Sequence, residues 1–166
     1  MPAHLIRVPT ADDVGPIKQL ALDTDMFGFD EVGFFDELLA GFVDGSLADN
    51  QWLVIEGADG RVDGAAYYAP EPFSDRMWNL YFLAVSPERQ GRGLGATLVQ
   101  TVEEELRRCG GHSARVLIVE TSSTDRYART RTFYRSLGYD EEARIRQFYG
   151  PADDKVVFWK SLAASP

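Results

Sequence analysis

The sequence predicts an α/β protein in which the strands form one mixed sheet with helices on both faces. Apolar runs of strand length alternate with longer stretches whose apolar residues recur every three or four positions. The uninterrupted aliphatic run at 116–119 is typical of a strand that is buried on both faces and parallel to a neighbour. The Asp59-Gly60 pair lies between two strand-like runs and indicates a hairpin, so antiparallel pairing is expected as well.

The predicted elements follow one another in the order β-α-α-β-β-β-α-β-α-β-β. Strands are expected at 5–8, 51–56, 62–69, 77–85, 116–119, 145–149 and 156–159. Helices are expected after an N-cap at Thr10, over 32–43, over 94–108 and over 126–137. In the third helix, Leu94, Leu98 and Val102 recur at i, i+4 spacing, and Gly110 follows the last turn as helix-ending glycines commonly do.

Length and composition predict a single domain. The chain has 166 residues, 45% of them hydrophobic, and no linker or repeat divides it, so one domain over 1–166 with a core of about residues 5–162 is expected. No apolar run could span a bilayer, and the first residues lack the apolar stretch of a secretory signal. The lone Cys109 cannot form an internal disulfide and is expected to pack at a helix end. We therefore expect a cytoplasmic protein without membrane contact.

The charge balance restricts the partners. A net charge of −9 argues against nucleic acid, since such binding depends on neutralising phosphates with basic residues. It is compatible with a cationic amine as substrate, or with solubility alone. His4 and His112 are isolated, and no spacing of His, Cys and carboxylate residues suggests a metal site.

The most informative segment is the glycine-rich stretch Gln90–Ala96. It separates the apolar run 80–85 from the helical pattern that begins at Leu94. Glycine lets the backbone approach an anion closely, and the N-terminus of a helix offers free N–H groups and partial positive charge. Arg89 and Arg92 add formal charge nearby. A pyrophosphate-binding loop is therefore favoured over a tight turn with no ligand.

Two phosphate ligands fit this segment. Gly91, Gly93 and Ala96 satisfy G-x-G-x-x-A, a weak dinucleotide fingerprint. In a dinucleotide fold the first glycine follows its strand almost directly, whereas five residues, 86–90, intervene in this chain. A dinucleotide-binding oxidoreductase is thus the more distant interpretation.

A second spacing fits the segment better. Gln90, Gly93 and Gly95 form Q-x-x-G-x-G, and about forty residues later the stretch 132–139 reads T-F-Y-R-S-L-G-Y. Both motifs, in this order, resemble the acyl-CoA signature and the F-Y-x-x-x-G-F/Y element of the GCN5-related N-acetyltransferase (GNAT) family. The pattern of elements fits this family over residues 5–162, so the resemblance covers nearly the whole chain.

The resemblance implies a single-domain GNAT fold in which the fourth strand splays from the fifth. It implies acetyl-CoA as the acyl donor, with direct transfer and no metal. The residues implied in donor binding are Gln90, Gly91, Arg92, Gly93, Gly95 and Ala96 at the pyrophosphate, and the backbone of Leu83, Ala84 and Val85 along the pantetheine. The N–H of Val85, or its neighbour, would stabilise the oxyanion.

The resemblance also assigns the proton chemistry in part. Tyr134 matches the tyrosine that protonates the departing thiolate. Many members carry a glutamate base on strand four, and the matching position here is Asn79, so Glu120, at the end of an apolar strand, is the substitute candidate. Partial burial is expected to raise the pKa of Glu120. A water chain through Asn79 and Tyr81, or an amine that enters neutral, remains an alternative.

Two further features concern binding. Tyr127 stands where many members have an asparagine that binds pantetheine, and its hydroxyl is expected to replace that contact. The resemblance also places the connection between the first two helices over the acceptor site. Phe27 and Phe29 in this connection, together with Asn79 and Tyr81, are therefore candidate acceptor-binding residues, unless the aromatic residues only pack the loop.

The sequence thus predicts an acetyl-CoA-dependent N-acetyltransferase that acts on a primary amine. A small-molecule amine is the first choice of acceptor and a protein or peptide amine the second. The rival from another class is a non-catalytic acyl-CoA-binding module, which Asn79 and Tyr127 favour. A homodimer is compatible with these expectations.

Overall fold

The structure is a computed structural model, and it describes residues 3–28, 30–108 and 114–163. Two compact units are present. Unit one comprises Met1–Ala69 and Phe82–Val102, and unit two comprises Pro70–Tyr81 and Glu103–Pro166. The structure is a mixed α/β arrangement, and its seven strands have the hydrogen-bonded order β1-β2-β3-β4-β5-β7-β6. The predicted fold class and order of elements are confirmed.

The bounds of β1 to β4 and of the helices agree closely with the sequence pattern, and those of the last three strands differ. The strands are β1 (Leu5–Arg7), β2 (Gln51–Glu56), β3 (Val62–Pro70), β4 (Met77–Val85), β5 (Val116–Ser122), β6 (Asp140–Gly150) and β7 (Asp153–Ser161). The helices are α1 (Val14–Asp23), α2 (Phe34–Asp44), α3 (Leu94–Arg107) and α4 (Ala128–Ser136). Short 3-10 turns cover Ala11–Asp13, Pro87–Arg89 and Asp125–Tyr127. None of the described helices is long and apolar enough to cross a membrane.

Unit one is built on the antiparallel strands β1, β2 and β3. β2 and β3 form the predicted hairpin, and Gly60 takes a left-handed φ of 79° in its turn. Aromatic side chains from α2, β2 and β4 pack together, with ring centroids 5.9 Å apart for Phe35 and Trp52 and 5.1 Å apart for Phe35 and Phe82. This core, which the periodicity of the sequence predicts, supports the second half of β4.

Unit two is built around β5. The first half of β4 pairs with β5 in parallel from Met77↔Val116 to Asn79↔Ile118, and β7 pairs with β5 on its other side in antiparallel fashion. β5 is buried along most of its length, as its aliphatic run predicts. The parallel pairing ends at Asn79↔Ile118, so Asn79 occupies the last paired position of β4 against β5.

The last three strands are longer than predicted: β5 continues to Ser122, and β6 and β7 extend at both ends. β6 begins at Asp140 rather than 145, because its first half is polar and exposed and so carries no burial pattern that a sequence could reveal. The register of β6 against β7 breaks between Ile145 and Gly150, and Gln147 takes a φ of 56° within the break. The predicted helix end at Gly110 and the predicted packing of Cys109 lie outside the described residues.

Candidate functional site

The glycine-rich segment in unit one forms an open loop before α3. Gly91 and Gly93 have φ angles of 77° and 82°, which L-residues with side chains rarely adopt. A Cβ on either glycine would meet no heavy atom within 4 Å, so the space over the loop is open. The two glycines therefore serve the backbone conformation and leave room for a ligand.

The loop is joined to the start of a long helix and to the end of β4. The Thr97 N–H donates to the Gly93 carbonyl over 3.0 Å, which places Gly93 at the head of α3. The N–H groups of residues before Thr97 have no acceptor within the helix, as at every helix start. Gln90 Nε2 donates to the Val85 carbonyl over 3.0 Å and ties the loop to β4. The arrangement offers several N–H groups to an anion.

The two arginines of the loop have different surroundings. The Arg89 guanidinium lies 3.5 Å from Asp63 Oδ1 and 3.4 Å from Asp59 Oδ2, so two carboxylates of the same unit hold it. Arg92 is exposed, and no described residue forms an ion pair or hydrogen bond with its side chain. Among the described residues, the Arg89 charge thus has carboxylate partners and the Arg92 charge has none.

The positions on β4 that the sequence predicts to bind the donor are mostly buried. Ala84 and Val85 are 4% and 9% exposed, and Leu83 is half-buried. The Ala84 carbonyl lies 3.0 Å from the place a Cβ would take on Gly64, so β3 approaches β4 closely there. The backbone contacts of these three residues with pantetheine remain a prediction, as do the contacts expected of Gly95 and Ala96.

The predicted acceptor rim is described only in part. The Phe27 ring packs edge-on against Phe34 and Phe35, with centroid distances of 5.4 Å in both cases. These contacts join the loop to the aromatic core. They agree with the alternative that Phe27 packs the loop and does not bind the acceptor. Phe29 lies outside the described residues.

In unit two, β4 and β5 bring a polar cluster together. Asn79 is fully buried, and its Nδ2 donates to Glu71 Oε1 over 2.7 Å and to Glu120 Oε1 over 2.8 Å. The Tyr81 hydroxyl also donates to Glu71 Oε1, over 2.8 Å. Lys155 Nζ lies 2.5 Å from Glu120 Oε2. Asn79, Tyr81 and Glu120, which the sequence singles out, are thus neighbours.

Two members of the cluster, Glu71 and Lys155, are absent from the sequence prediction. Glu71 directly follows β3, and its backbone N–H donates to the Met77 carbonyl over 2.8 Å, which closes the connection to β4. Lys155 lies opposite Ser122 in the pairing of β7 with β5. For Glu71, the sequence offers one signal, a carboxylate close to a predicted strand end. Many solvent-exposed residues share that feature, so it does not indicate a site.

Tyr134 lies in the core of unit two. It is 4% exposed, and its ring packs near those of Phe133, Tyr139 and Phe158 at centroid distances of 5.0, 5.7 and 5.8 Å. Burial raises the pKa of the Tyr134 hydroxyl well above its usual value of 10.0. No described residue forms a hydrogen bond with that hydroxyl. Tyr134 therefore keeps its proton at neutral pH and donates it to none of the described residues.

The neighbouring Tyr139 is engaged instead. Its hydroxyl donates to Glu103 Oε1 over 2.8 Å, and Lys160 Nζ donates to the same carboxylate over 3.0 Å. Burial and the Glu103 carboxylate raise the pKa of Tyr139. The two buried tyrosines of this unit thus differ in that one hydroxyl has a structural partner and the other has none among the described residues.

Tyr127 ends the short 3-10 turn before α4. Its backbone N–H donates to the Thr124 carbonyl over 3.0 Å, and the Arg126 guanidinium carbon lies 5.7 Å from its ring centroid. Burial, together with the charges of Glu120 and Asp153, raises the pKa of nearby Tyr149 to about 12. The contact of Tyr127 with pantetheine remains a prediction.

Within the described ranges, no group of three His, Cys, Asp or Glu side chains could hold a metal ion.

Comparison with known proteins identifies the class. Residues 48–141 match the model of the acetyltransferase (GNAT) domain. A protein of the GNAT family from Desulfovibrio desulfuricans is 30% identical, with a TM-score of 0.87, over 98% of this chain and 100% of that one. A search of curated proteins gave no match.

Two more distant structures share the fold. One is yncA from Salmonella typhimurium, solved with its cofactor acetyl-CoA, at 24% identity and a TM-score of 0.78 over 98% of this chain and 96% of that one. The other is an aminoglycoside 6'-N-acetyltransferase complexed with coenzyme A, at 15% identity and a TM-score of 0.75 over 98% and 99%. The chain belongs to the GNAT family of acetyltransferases. It is therefore an acyltransferase that uses acetyl-CoA as donor.

Proposed function

We propose that the protein transfers the acetyl group of acetyl-CoA directly to a primary amine of a small molecule. The observation that carries the proposal is the open loop before α3, where Gly91 and Gly93 both take left-handed conformations with free space above them. Together with the match to the GNAT domain, this geometry supports a pyrophosphate site rather than a turn without a ligand.

On the donor side, the N–H groups at the head of α3 and the Arg92 guanidinium would bind the pyrophosphate. Gln90 would fix the loop through its bond to Val85. The backbone of 83–85 would pair with the pantetheine amides, with Gly95 and Ala96 lining the loop and Tyr127 as a further contact. Preorganised N–H groups aimed at the thioester oxygen would lower the barrier to attack.

On the chemical side, Tyr134 would protonate the departing thiolate. Its hydroxyl is protonated at neutral pH and has no partner among the described residues. Glu120 is the sequence candidate for the base that removes the amine proton. Its two oxygens already accept from Asn79 and Lys155, so accepting an amine proton would require one of these contacts to break.

The net charge of −9 is compatible with a cationic amine as acceptor, and a small molecule is the first candidate. A protein or peptide amine is the second candidate. The non-catalytic module differs from both in that it would bind acetyl-CoA without releasing thiol. We further propose a cytoplasmic protein in which both units belong to one N-acetyltransferase domain, with a homodimer as an allowed state and neither nucleic acid nor a membrane as partner.

Thiol release tests the proposal. Acetyl-CoA is incubated with the protein and with a panel of alkylamines, aromatic amines, amino sugars and peptides with free N-termini, and free thiol is measured with a chromogenic disulfide. Mass spectrometry should find one acetylated amine for each thiol released. Release with peptides alone would favour the second candidate. Binding of acetyl-CoA without release by any amine would favour the non-catalytic module.

A further inference from the structure

The amide of Asn79 joins two carboxylates, and this fixes its orientation. Glu71 Oε1 and Glu120 Oε1 lie 2.7 and 2.8 Å from Asn79 Nδ2. An ionised carboxylate only accepts hydrogen bonds, so the amide nitrogen and not the amide oxygen must face both. The remaining atom of the group, Oδ1, is therefore an acceptor.

No described residue donates a hydrogen bond to that acceptor. Asn79 is fully buried, and its Oδ1 forms no hydrogen bond with any of the described residues. A buried polar atom without a partner is unfavourable, so it is rarely retained unless something else supplies the partner. A donor from outside the chain, such as an N–H, would complete the amide.

The two carboxylates differ in charge compensation. Glu120 forms an ion pair with Lys155, whose ammonium also lies 3.5 Å from the Phe148 ring centroid. Glu71 receives only the neutral donors Asn79 and Tyr81, and no cationic side chain of the described residues pairs with it. Glu71 is half-buried, and its Oε2 has no described partner. Within the described part of the chain, the negative charge of Glu71 thus has no positive partner.

We infer that Glu71 and Asn79 receive the ammonium group of the acceptor, and that Glu71 Oε2 is the base that removes its proton. The inference rests on the proposed function and deepens it, since it defines the acceptor as a cationic amine. An ammonium group supplies the positive charge that Glu71 lacks and the N–H donor that Asn79 Oδ1 lacks. Glu120 then serves to hold Asn79 and Lys155 in place.

The protons balance as follows. The acceptor enters as R–NH3⁺ and gives one proton to Glu71, which passes it to water. The neutral amine forms the C–N bond with the acetyl carbon, the C–S bond breaks, and the coenzyme leaves as a thiolate. Tyr134 gives its proton to the thiolate, and the second proton, which leaves the acylated nitrogen, restores the hydroxyl of Tyr134. The sum is R–NH3⁺ and acetyl-CoA giving the acetamide, free coenzyme A and one proton.

Three glutamate-to-glutamine variants, each of which removes one negative charge, distinguish the role of Glu71 from that of Glu120. Glu71→Gln keeps an oxygen that can accept from Tyr81 and Asn79 but cannot take a proton. Glu120→Gln removes the partner of Lys155, and Glu142→Gln removes an exposed charge on β6 as the control. The kcat/KM of the best amine in the panel is measured from pH 6 to pH 10, with acetyl-CoA affinity and circular dichroism as checks on the fold.

For Glu71→Gln we expect kcat/KM to fall about 100-fold near neutral pH, with a loss that shrinks as the free amine accumulates at high pH. Glu120→Gln should show a smaller loss that does not depend on pH, and Glu142→Gln should match the wild type. An unchanged rate for Glu71→Gln, or a pH-rescued loss confined to Glu120→Gln, would overturn the inference and leave the proposed function intact.

A readout without turnover separates the two claims. The side-chain amide of Asn79 is followed by ¹⁵N NMR while ethylammonium chloride is added, with sodium chloride at equal ionic strength as the reference. A shift in the wild type that is lost in Glu71→Gln supports the ammonium site even if no amine of the panel is acetylated, in which case the proposed function fails. No shift would overturn the inference whatever the activity.

Discussion

Asn79 on β4 and Glu120 on β5 are joined by a hydrogen bond of 2.8 Å between neighbouring parallel strands. The amide stands at the position where many members of the family carry a glutamate. With Glu71 and Glu120 already close, a third carboxylate there would add like charge to a buried position. With asparagine in place of glutamate at position 79, the carboxylates of Glu71 and Glu120 both accept a hydrogen bond from the same amide nitrogen.

Asn79→Glu should therefore destabilise the protein. Between Glu71 and Glu120 the new carboxylate would lose two hydrogen bonds and gain repulsion, so the free energy of unfolding at pH 7 should fall by about 3 kcal/mol. Part of the loss should be recovered near pH 4, where carboxyls take up protons. Urea denaturation at both pH values measures this. Equal stability of variant and wild type at pH 7 would show that the carboxylates are not both ionised.

Tyr134→Phe tests the proton donor. The ring contacts with Tyr139 and Phe158 should persist, while turnover should fall by roughly ten- to a thousandfold because the thiolate loses its acid. Acetyl-CoA affinity should change little, since the interaction belongs to the transition state. Steady-state kinetics and calorimetry give the two quantities.

The matched control is Tyr139→Phe, which removes the hydroxyl bonded to Glu103. It should lower stability by about 1 kcal/mol and leave turnover close to the wild type. Equal loss of binding and turnover in Tyr134→Phe would instead make Tyr134 a contact for the donor.

Substitutions of the two arginines in the loop should have different effects, one on acetyl-CoA affinity and the other on the stability of the protein. Arg92→Gln should weaken acetyl-CoA binding about tenfold, or about 1.4 kcal/mol, and the weakening should diminish at high salt. Arg89→Gln should instead lower stability by about 2 kcal/mol, because Asp63, only 3% exposed, loses its contact with the Arg89 guanidinium. Calorimetry at two salt concentrations and thermal unfolding measure the effects. If Arg89→Gln weakened acetyl-CoA binding and Arg92→Gln did not, Arg89 and not Arg92 would be the residue at the phosphate.

Stability should also fall in acid because of Asp13. The Arg7 guanidinium donates two hydrogen bonds to its carboxylate, which holds the pKa of Asp13 below its usual value of 3.8. A lowered pKa contributes stability above the unfolded value, and this is lost as pH falls through the folded value. Asp13→Asn should cost about 2 kcal/mol at pH 7 and should flatten the decline below about pH 4. Urea titrations of both proteins give the slopes, and parallel slopes would contradict the assignment.

Much of this fold can be predicted from the sequence, because its elements bury one face. β4 has the predicted bounds, and the burial of β5 follows from its aliphatic run. β6 was predicted too short, since its polar first half, Asp140–Arg144, is exposed throughout and has no period to detect.

The loop before α3 could be located from the sequence because closely spaced glycines mark positions where the backbone takes left-handed φ angles, as Gly91 and Gly93 do. The cluster around Asn79 could not, since Glu71 and Lys155 reach it only through the pairing of distant strands. A carboxylate beside a proline after a strand resembles any solvated turn. Its role depends on tertiary contacts that no local pattern contains.

The most direct measurement of the central claim is calorimetry of acetyl-CoA with Gly93→Asp beside Gly45→Asp. Both glycines have left-handed φ angles, 82° and 81°, and open space where a Cβ would lie, so both variants should incur similar backbone strain. Only the aspartate at 93 would place negative charge at the proposed pyrophosphate site. We predict that Gly93→Asp nearly abolishes binding while Gly45→Asp, folded by circular dichroism, binds like the wild type. Wild-type affinity in a folded Gly93→Asp protein would contradict the assignment of the loop.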